Sequence, residues 1–297
     1  MSPGSAGDTV PLDGPLTSPD TMMVRIYLTL EGTAGEDGLV PVLRELPTSE
    51  SIEVSAVEAL LAGPNPAERG AAPELSTWIP DGTRLLGLTV RDMIATVDLS
   101  REFAAPGDRN ASLGRLGQIA YTLTVYPWIR AVAFTVEGRP LGALAGGEVV
   151  LSAPVGRADP RDIGPNQPFL ESILPAIFVD GPSWGETLYE KTTVMGTARL
   201  ASDRFTVELL GAAGQQLAKV WAVEPCPGPC GGGFEARLDF AVTEPQWGTL
   251  RVSEVDAAGE PIPFAPARDY PVWLVPIGSP TFDEPSPAPV DTHACSC

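Results

Sequence analysis

The chain predicts two domains of unlike class. The first is an α+β domain, a small sheet with two packed helices, over residues 22–155. The second is an all-β antiparallel sandwich over residues 175–277. Three observations carry this division. The length, 297 residues, exceeds what a single core ordinarily organises. In the first half, strand-like alternation is interrupted twice by helical periodicity. In the second half, seven apolar stretches recur at roughly ten-residue spacing, with Gly and Pro between them and no helical pattern. The 31 glycines and 32 prolines fit short strands joined by tight turns, and an apolar fraction of 43% suffices for two cores.

Taken in order, MVRIYLTL (Met23 to Leu30) predicts a strand with Val24, Ile26 and Leu28 on one side. LVPVLRELP (Leu39 to Pro47) predicts a second. In VSAVEALLAGPNPAERG, Val54, Val57, Leu60 and Leu61 repeat at helical spacing. Ser49 or Ser51 is the candidate N-cap, and Glu53 falls in the first turn. Gly63 can take the left-handed conformation that closes a helix, and Pro64 cannot continue one. Glu68 and Arg69 then read as a solvated ion pair beyond a corner, since exposed pairs are common and weak.

Strands follow at 84–90 and 93–99, with Arg91 and Asp92 as a tight connection. A second helix, 111–126, places Leu113, Leu116, Ile119, Ala120, Leu123 and Tyr126 on one face, and Pro127 ends it. Asn110-Ala-Ser112 has the form of a glycosylation sequon but reads better as the cap region of this helix. A strand at 131–137 and a turn at Gly138 close the domain.

Residues 156–174 read as a proline-rich linker. The sandwich strands are expected at 176–180, 192–200, 204–211, 216–224, 233–242, 248–256 and 270–277. Alternation is clean through Phe205, Val207 and Leu209, and again through Phe234, Ala236, Leu238 and Phe240. Residues 1–21 read as a flexible leader and 278–297 as a disordered tail.

Composition narrows the chemistry. A formal charge of -19, with only 19 Lys and Arg, argues against nucleic acid and against docking on anionic lipid. No apolar run approaches the ~18 residues that cross a bilayer. The N-terminal stretch lacks the basic and apolar regions of a signal peptide. The one histidine, His293, lies in the tail, so a Ser-His-Asp or Cys-His site would need a base recruited from there, and paired-histidine zinc chemistry is ruled out.

Each remaining candidate has a bland reading beside it. Cys226-Pro-Gly-Pro-Cys230 reads as a disulfide, because the intervening residues can reverse the chain, and this implies an extracytoplasmic setting. The redox and zinc alternatives lack a βαβ context and sufficient ligands. His293, Cys295 and Cys297 present three soft-metal donors in five residues, but without a folded frame they read as an ordinary reactive tail. Trp221 and Trp273 sit inside apolar strands and read as core. Trp184 and Trp247 lie in turn-like contexts and are the candidates for a surface contact. Asp98 reads as a carboxylate capping a turn, with no second acid fixed near it. No catalytic residue, metal site or cofactor is expected.

Four quoted stretches carry a family likeness: LVPVLRELP, VEALLAGPNPAERG, WIPDGTRLLGLTVRDMIATVDLSREF and GQIAYTLTVYPWIRAVAFTVEGRPL, in that order. Together they resemble the sporulation and spore-germination (GerMN) domain, with its helix end at LLAGP, its IPDGT strand entry, its VDLSREF strand exit and its YTLT helix. The likeness covers nearly all of 23–142. AIFVDGPSWGETLYEKTTVMGTARL and PCPGPCGGGFEARLDFAVTEPQWGTLRVSEVD resemble the immunoglobulin-like module that often follows this domain in spore-germination and envelope lipoproteins.

The resemblance implies a ring-building-like first domain and a non-catalytic envelope component. Its implied partners are envelope proteins and peptidoglycan; separately, exposed sheet edges of the first domain offer a route to homo-oligomers. Relatives carry a lipid-anchored cysteine near the N-terminus, whereas this chain has no cysteine before Cys226. The rival expectations are a cell-wall glycan-binding module and a hydrolase built on carboxylates that folding brings together.

Overall fold

The computed structural model describes residues 20–30, 38–49, 51–71, 74–157, 170–200, 204–223, 232–263 and 265–276. The leader, most of the linker, the Cys226–Cys230 segment and the His293, Cys295 and Cys297 tail lie outside the described residues. The chain is mostly β with few helices.

β1 (Thr21–Leu30) and β2 (Gly38–Pro47) form an antiparallel ladder over their whole length, from Thr21 opposite Pro47 to Leu30 opposite Gly38. The short β3 (Leu75–Ser76) pairs with the other side of β1. From Tyr27 onward β1 is buried on both faces, which is why its alternation fades into a continuous apolar run.

α1 (Ile52–Leu61) starts at Ser51, whose hydroxyl accepts the Val54 N–H at 3.3 Å. Its buried face, Ala56, Val57 and Leu60, packs toward β1. Gly63, at φ +72°, ends the helix in the left-handed region.

Beyond that corner the expectation fails. Residues Pro66–Arg69 form a one-turn helix, α2, with a capping box between Asn65 and Glu68. Glu68 is buried and grips Arg44 of β2 through two bonds of 2.6 Å. Arg69 instead donates to the Pro64 carbonyl at 2.5 Å. The two residues are therefore not a solvated pair: the one-turn helix aims them in different directions, and an arginine 24 positions upstream takes the carboxylate.

β4 (Leu85–Arg91) and β5 (Ile94–Leu99) form a hairpin whose turn residues, Asp92 and Met93, have φ of 51° and 62°. Positive φ at both central positions is the type I′ pattern that matches strand twist. α3 (Arg109–Leu123) crosses over to β6 (Ala131–Val136), which runs parallel to β5. Its cap is Asp108, whose carboxylate accepts the Ala111 N–H at 2.8 Å, and not the Asn110–Ser112 triplet. β7 (Arg139–Pro140) folds back on β6. β8 (Ala143–Leu144) and β9 (Val149–Val150) form a small separate pair, and β10 (Val155–Gly156) joins the far side of β6. The second sheet thus runs β10-β6-β5-β4.

α3 is buried around nearly its full circumference from Ser112 to Leu123. Two glycines make this possible. A Cβ on Gly114 would lie 1.9 Å from the Trp78 ring, and one on Gly117 would lie 2.0 Å from Ile173. A helix so enclosed shows little amphipathic contrast, because almost every side meets protein.

The second half contains β11 (Ile177–Gly181), β12 (Thr187–Leu188), β13 (Lys191–Ala198), β14 (Arg204–Leu210), β15 (Gln216–Val223), β16 (Gly232–Asp239), β17 (Gln246–Glu254) and β18 (Ala267–Leu274). They form a three-stranded sheet, β11-β13-β16, and a five-stranded sheet, β12-β18-β17-β14-β15. Phe205 of one meets Phe234 of the other edge-on at 4.8 Å, so the alternating apolar faces pack together. β12 was not expected; it is too short to show periodicity, and it pairs with β18 in parallel. Trp273, expected in the core, is half-buried on the outer face of the five-stranded sheet opposite Trp247, and Trp221 departs further from the same expectation. It is 51% exposed, because β15 is an edge strand and the residue faces away from the core.

Candidate functional site

Two surfaces gather side chains capable of more than packing: the junction between the two halves, and the outer face of the five-stranded sheet.

At the junction, Tyr27 of β1, Arg157 just after β10, and Asp180 of β11 converge. Arg157 Nη1 lies 2.5 Å from Asp180 Oδ2, and Nη2 lies 2.9 Å from the Tyr27 hydroxyl. That hydroxyl donates to Asp180 Oδ1, closing a three-membered ring of polar contacts. The guanidinium also lies 4.8 Å from the Tyr121 ring centroid and 5.4 Å from that of Tyr27. Its Nε donates to the Thr124 hydroxyl at 3.1 Å.

Burial pushes the Tyr27 phenol well above its ordinary value, so it remains a neutral donor. Burial would raise the Asp180 carboxyl too. Arg157 and the Tyr27 hydroxyl outweigh that and hold it below the usual carboxylate range. The Arg157 and Asp180 side chains each retain 30% exposure, so water screens the pair to a degree.

Apolar and backbone contacts extend this junction. Tyr27, Tyr121 and Phe178 form a ring cluster with centroids 5.4 to 6.4 Å apart. Arg25 approaches Glu186 at 3.9 Å. Trp184 is half-buried against the core, and its backbone N–H donates to the Pro41 carbonyl at 2.8 Å. An acid already bound by an arginine and a phenol does the chemistry of a lock.

Sequence reading missed this group. Arg157 falls in the stretch taken as linker, and Tyr27 is separated from it by 130 positions. The available signal was a tyrosine in a strand buried on both faces, since a buried phenol needs a polar partner.

On the five-stranded sheet, Trp247 of β17 is 56% exposed and faces Trp273 of β18 directly across the ladder. Their rings meet edge-on at 5.2 Å. Along the same face a row of charges crosses four strands: Asp269, Arg251, Glu208 and Lys219 occupy successive register positions. Arg251 binds Asp269 through two bonds of 2.7 Å, and Lys219 reaches Glu208 at 3.9 Å. Trp221 stands at the far end of the face. Of the two tryptophans proposed from sequence as surface contacts, Trp247 lies on this face and Trp184 lies at the junction.

Asp98 accepts the Gly138 N–H at 2.9 Å and the Thr135 hydroxyl at 2.7 Å. It caps a turn, but the one at Glu137–Gly138, 40 positions on, and not the turn that follows its own strand. A shallow groove between the end of β2 and α1 is lined by Leu46, Pro47, Ser49, Ser55 and Glu58.

Residues 25–142 match the family model described as sporulation and spore germination (Germane). No curated protein matches the chain. Among solved structures, the chain is similar to the first GerMN domain of the Bacillus subtilis sporulation protein GerM. There the identity is 21% and the TM-score 0.36, over 46% of this chain and 99% of that one. The tandem GerMN domains of the same protein match at 18% identity and a TM-score of 0.40, over 74% of this chain and 61% of that one. A Clostridium perfringens protein described as a lipoprotein matches at 22% identity and a TM-score of 0.33, over 47% of this chain and 89% of that one. The match to the sporulation and spore germination model thus spans the segment from β1 to just past β7, and the likeness of the chain to that family is confined to it.

Proposed function

We propose that this chain is a non-catalytic assembly and binding protein of the bacterial cell envelope, working outside the cytoplasm. The family match over residues 25–142 carries the reading. The first domain would associate with envelope proteins, including copies of itself. The second would present a rigid surface beside it.

The second half supports an immunoglobulin-like reading through its strand order. With β11, β13, β14, β15, β16, β17 and β18 taken as A, B, C, C′, E, F and G, the sheets are A-B-E and G-F-C-C′, and β12 lies alongside G. A disulfide between Cys226 and Cys230 belongs to the same proposal. Mass spectrometry of the alkylated, non-reduced protein would find Cys226 and Cys230 unalkylated and linked if it forms.

β4 is the strand best suited to pairing between copies. Among the described strands it is bonded only to β5, and Leu86 on it is 46% exposed. A register shift between Leu85 and Gly87 confines regular pairing to the 87–91 stretch. The experiment is crosslinking and sedimentation of the full chain across a concentration series. Assembly that Thr89→Pro abolishes supports the edge, because proline removes a backbone donor. A chain that stays monomeric at the highest concentration removes self-assembly from the account.

A further inference from the structure

The outer face of the five-stranded sheet combines three features rarely found together. Large aromatic residues are exposed: Trp247 at 56% and Trp221 at 51%. Both are held in place. Trp247 is braced by Trp273, and the indole of Trp221 rests against the turn at Gly259, where a Cβ would come within 2.3 Å of the ring. Between them the charges are already paired, two acids with two bases, although the chain as a whole carries -19.

From these features we infer that this face is a docking platform for an uncharged, β-linked polysaccharide strand of N-acetylated sugars, of the kind that the cell-wall glycan contains. A pyranose ring offers an apolar face of C–H groups and a rim of hydroxyls. Exposed, immobilised indoles suit the first, since little side-chain freedom is left to lose on binding. A row of alternating carboxylates and cations suits the second, since each can exchange hydrogen bonds with hydroxyls without a net charge to neutralise. Charge complementarity selects the partner. A cationic polymer would be drawn to the acidic remainder of the molecule, and an anionic one repelled by it. A folded protein partner is disfavoured because the face is a polar plane without a central apolar pocket.

The spacing also fits an extended ligand. Trp221 lies opposite Thr206, which lies opposite Ser253, six positions along β17 from Trp247. At the rise of a β-strand this separates the aromatic stations by roughly 20 Å along the sheet and about 10 Å across it. A strand of several sugar rings spans that diagonal and a single sugar does not.

The choice of a cell-wall glycan rests on the envelope reading above. The test uses the full chain and chito-oligosaccharides, uncharged β-linked strands of N-acetylglucosamine, with intact sacculi alongside. Retention on these strands should weaken about tenfold or more in Trp247→Ala and in Trp221→Ala. Trp247→Tyr, which keeps an aromatic face, should retain most of it. Retention should change little between about 0.05 and about 0.5 M salt, because stacking is not screened. Thermal unfolding of each variant guards against misfolding, and the tyrosine variant keeps the test decisive if an alanine variant unfolds.

Binding to sacculi but not to the uncharged strands, binding that collapses with salt, or binding that survives both alanine changes would overturn the platform. Self-association measured on the same samples keeps the two proposals apart. Lost glycan retention with assembly intact overturns only the platform, while retained glycan with no assembly overturns only the self-association.

Discussion

Individual side chains carry much of the fold's specificity. Glu68 serves two masters, capping α2 and binding Arg44 across to β2. Both members of the pair are largely buried, so removing one strands the other without a partner. Glu68→Ala should cost about 3 kcal/mol, read from the shift in denaturant midpoint; a loss near that of an exposed pair would refute the buried-pair account. Gln118 has a comparable role. Its side-chain oxygen accepts the Trp78 N–H at 2.8 Å and its amide donates to the Tyr27 carbonyl at 2.9 Å, tying α3 to β1 and to the segment just after β3. Asp180 makes a pH prediction. Its folded pKa lies below the unfolded value of about 4, so its contribution is present above that value and drains away as pH falls through the folded one. Asp180→Asn should therefore be less stable than the parent at pH 7, by roughly 1–2 kcal/mol, and the gap should narrow toward pH ~3. A gap independent of pH would mean the carboxylate charge is not what matters.

At the scale of elements, α3 shows how local rules and enclosure divide the work. Asp108 caps the helix, and Asp108→Ala should cost about 1 kcal/mol of stability. Gly114 is the opposite case. Alanine ordinarily favours a helix over glycine by close to 1 kcal/mol, yet here a Cβ has no room beside Trp78. Gly114→Ala should destabilise by about 1–3 kcal/mol, measured by thermal or denaturant unfolding; a stabilised variant would mean the Trp78 ring moves aside easily. Most of the longer strands were legible from residue pattern because at least one face of each is buried, while two-residue strands such as β12 hold no pattern to read. The helix end at Gly63 and the existence of the β4–β5 hairpin were legible because a left-handed residue and a two-residue loop carry backbone signals, although the loop is Asp92–Met93, one residue later than the Arg91–Asp92 connection expected. The one-turn α2 was not, since four residues hold no period, and the true cap of α3 lay two residues before the triplet read as its cap region.

At the scale of the whole molecule, the junction binds the two halves through Arg157, Asp180 and Tyr27 together with an apolar ring cluster. A guanidinium held by one carboxylate, one phenol and two aromatic faces favours one relative placement of the halves. Arg157→Met should keep much of the apolar packing while leaving Asp180 without its cation. Unfolding followed separately by tryptophan fluorescence and by far-ultraviolet circular dichroism should coincide in the parent and separate in the variant. Coincident transitions in both would show that the apolar contacts alone couple the halves. The junction escaped sequence reading because no local rule joins positions 27, 157 and 180.

What the sequence determined alone was the order and kind of the longer elements, the likeness of residues 25–142 to the sporulation and spore germination model, and a charge balance unfavourable to nucleic acid. These depend on periodicity, short motifs and net charge, which are properties of neighbours along the chain or of its sum. Only the tertiary structure decided that Glu68 turns inward to Arg44, that Arg157 locks the halves together, and that Trp221 and Trp247 share one face while Trp184 does not. Each of those depends on which side of a sheet or helix turns toward a distant neighbour, and that is settled when the apolar faces pack.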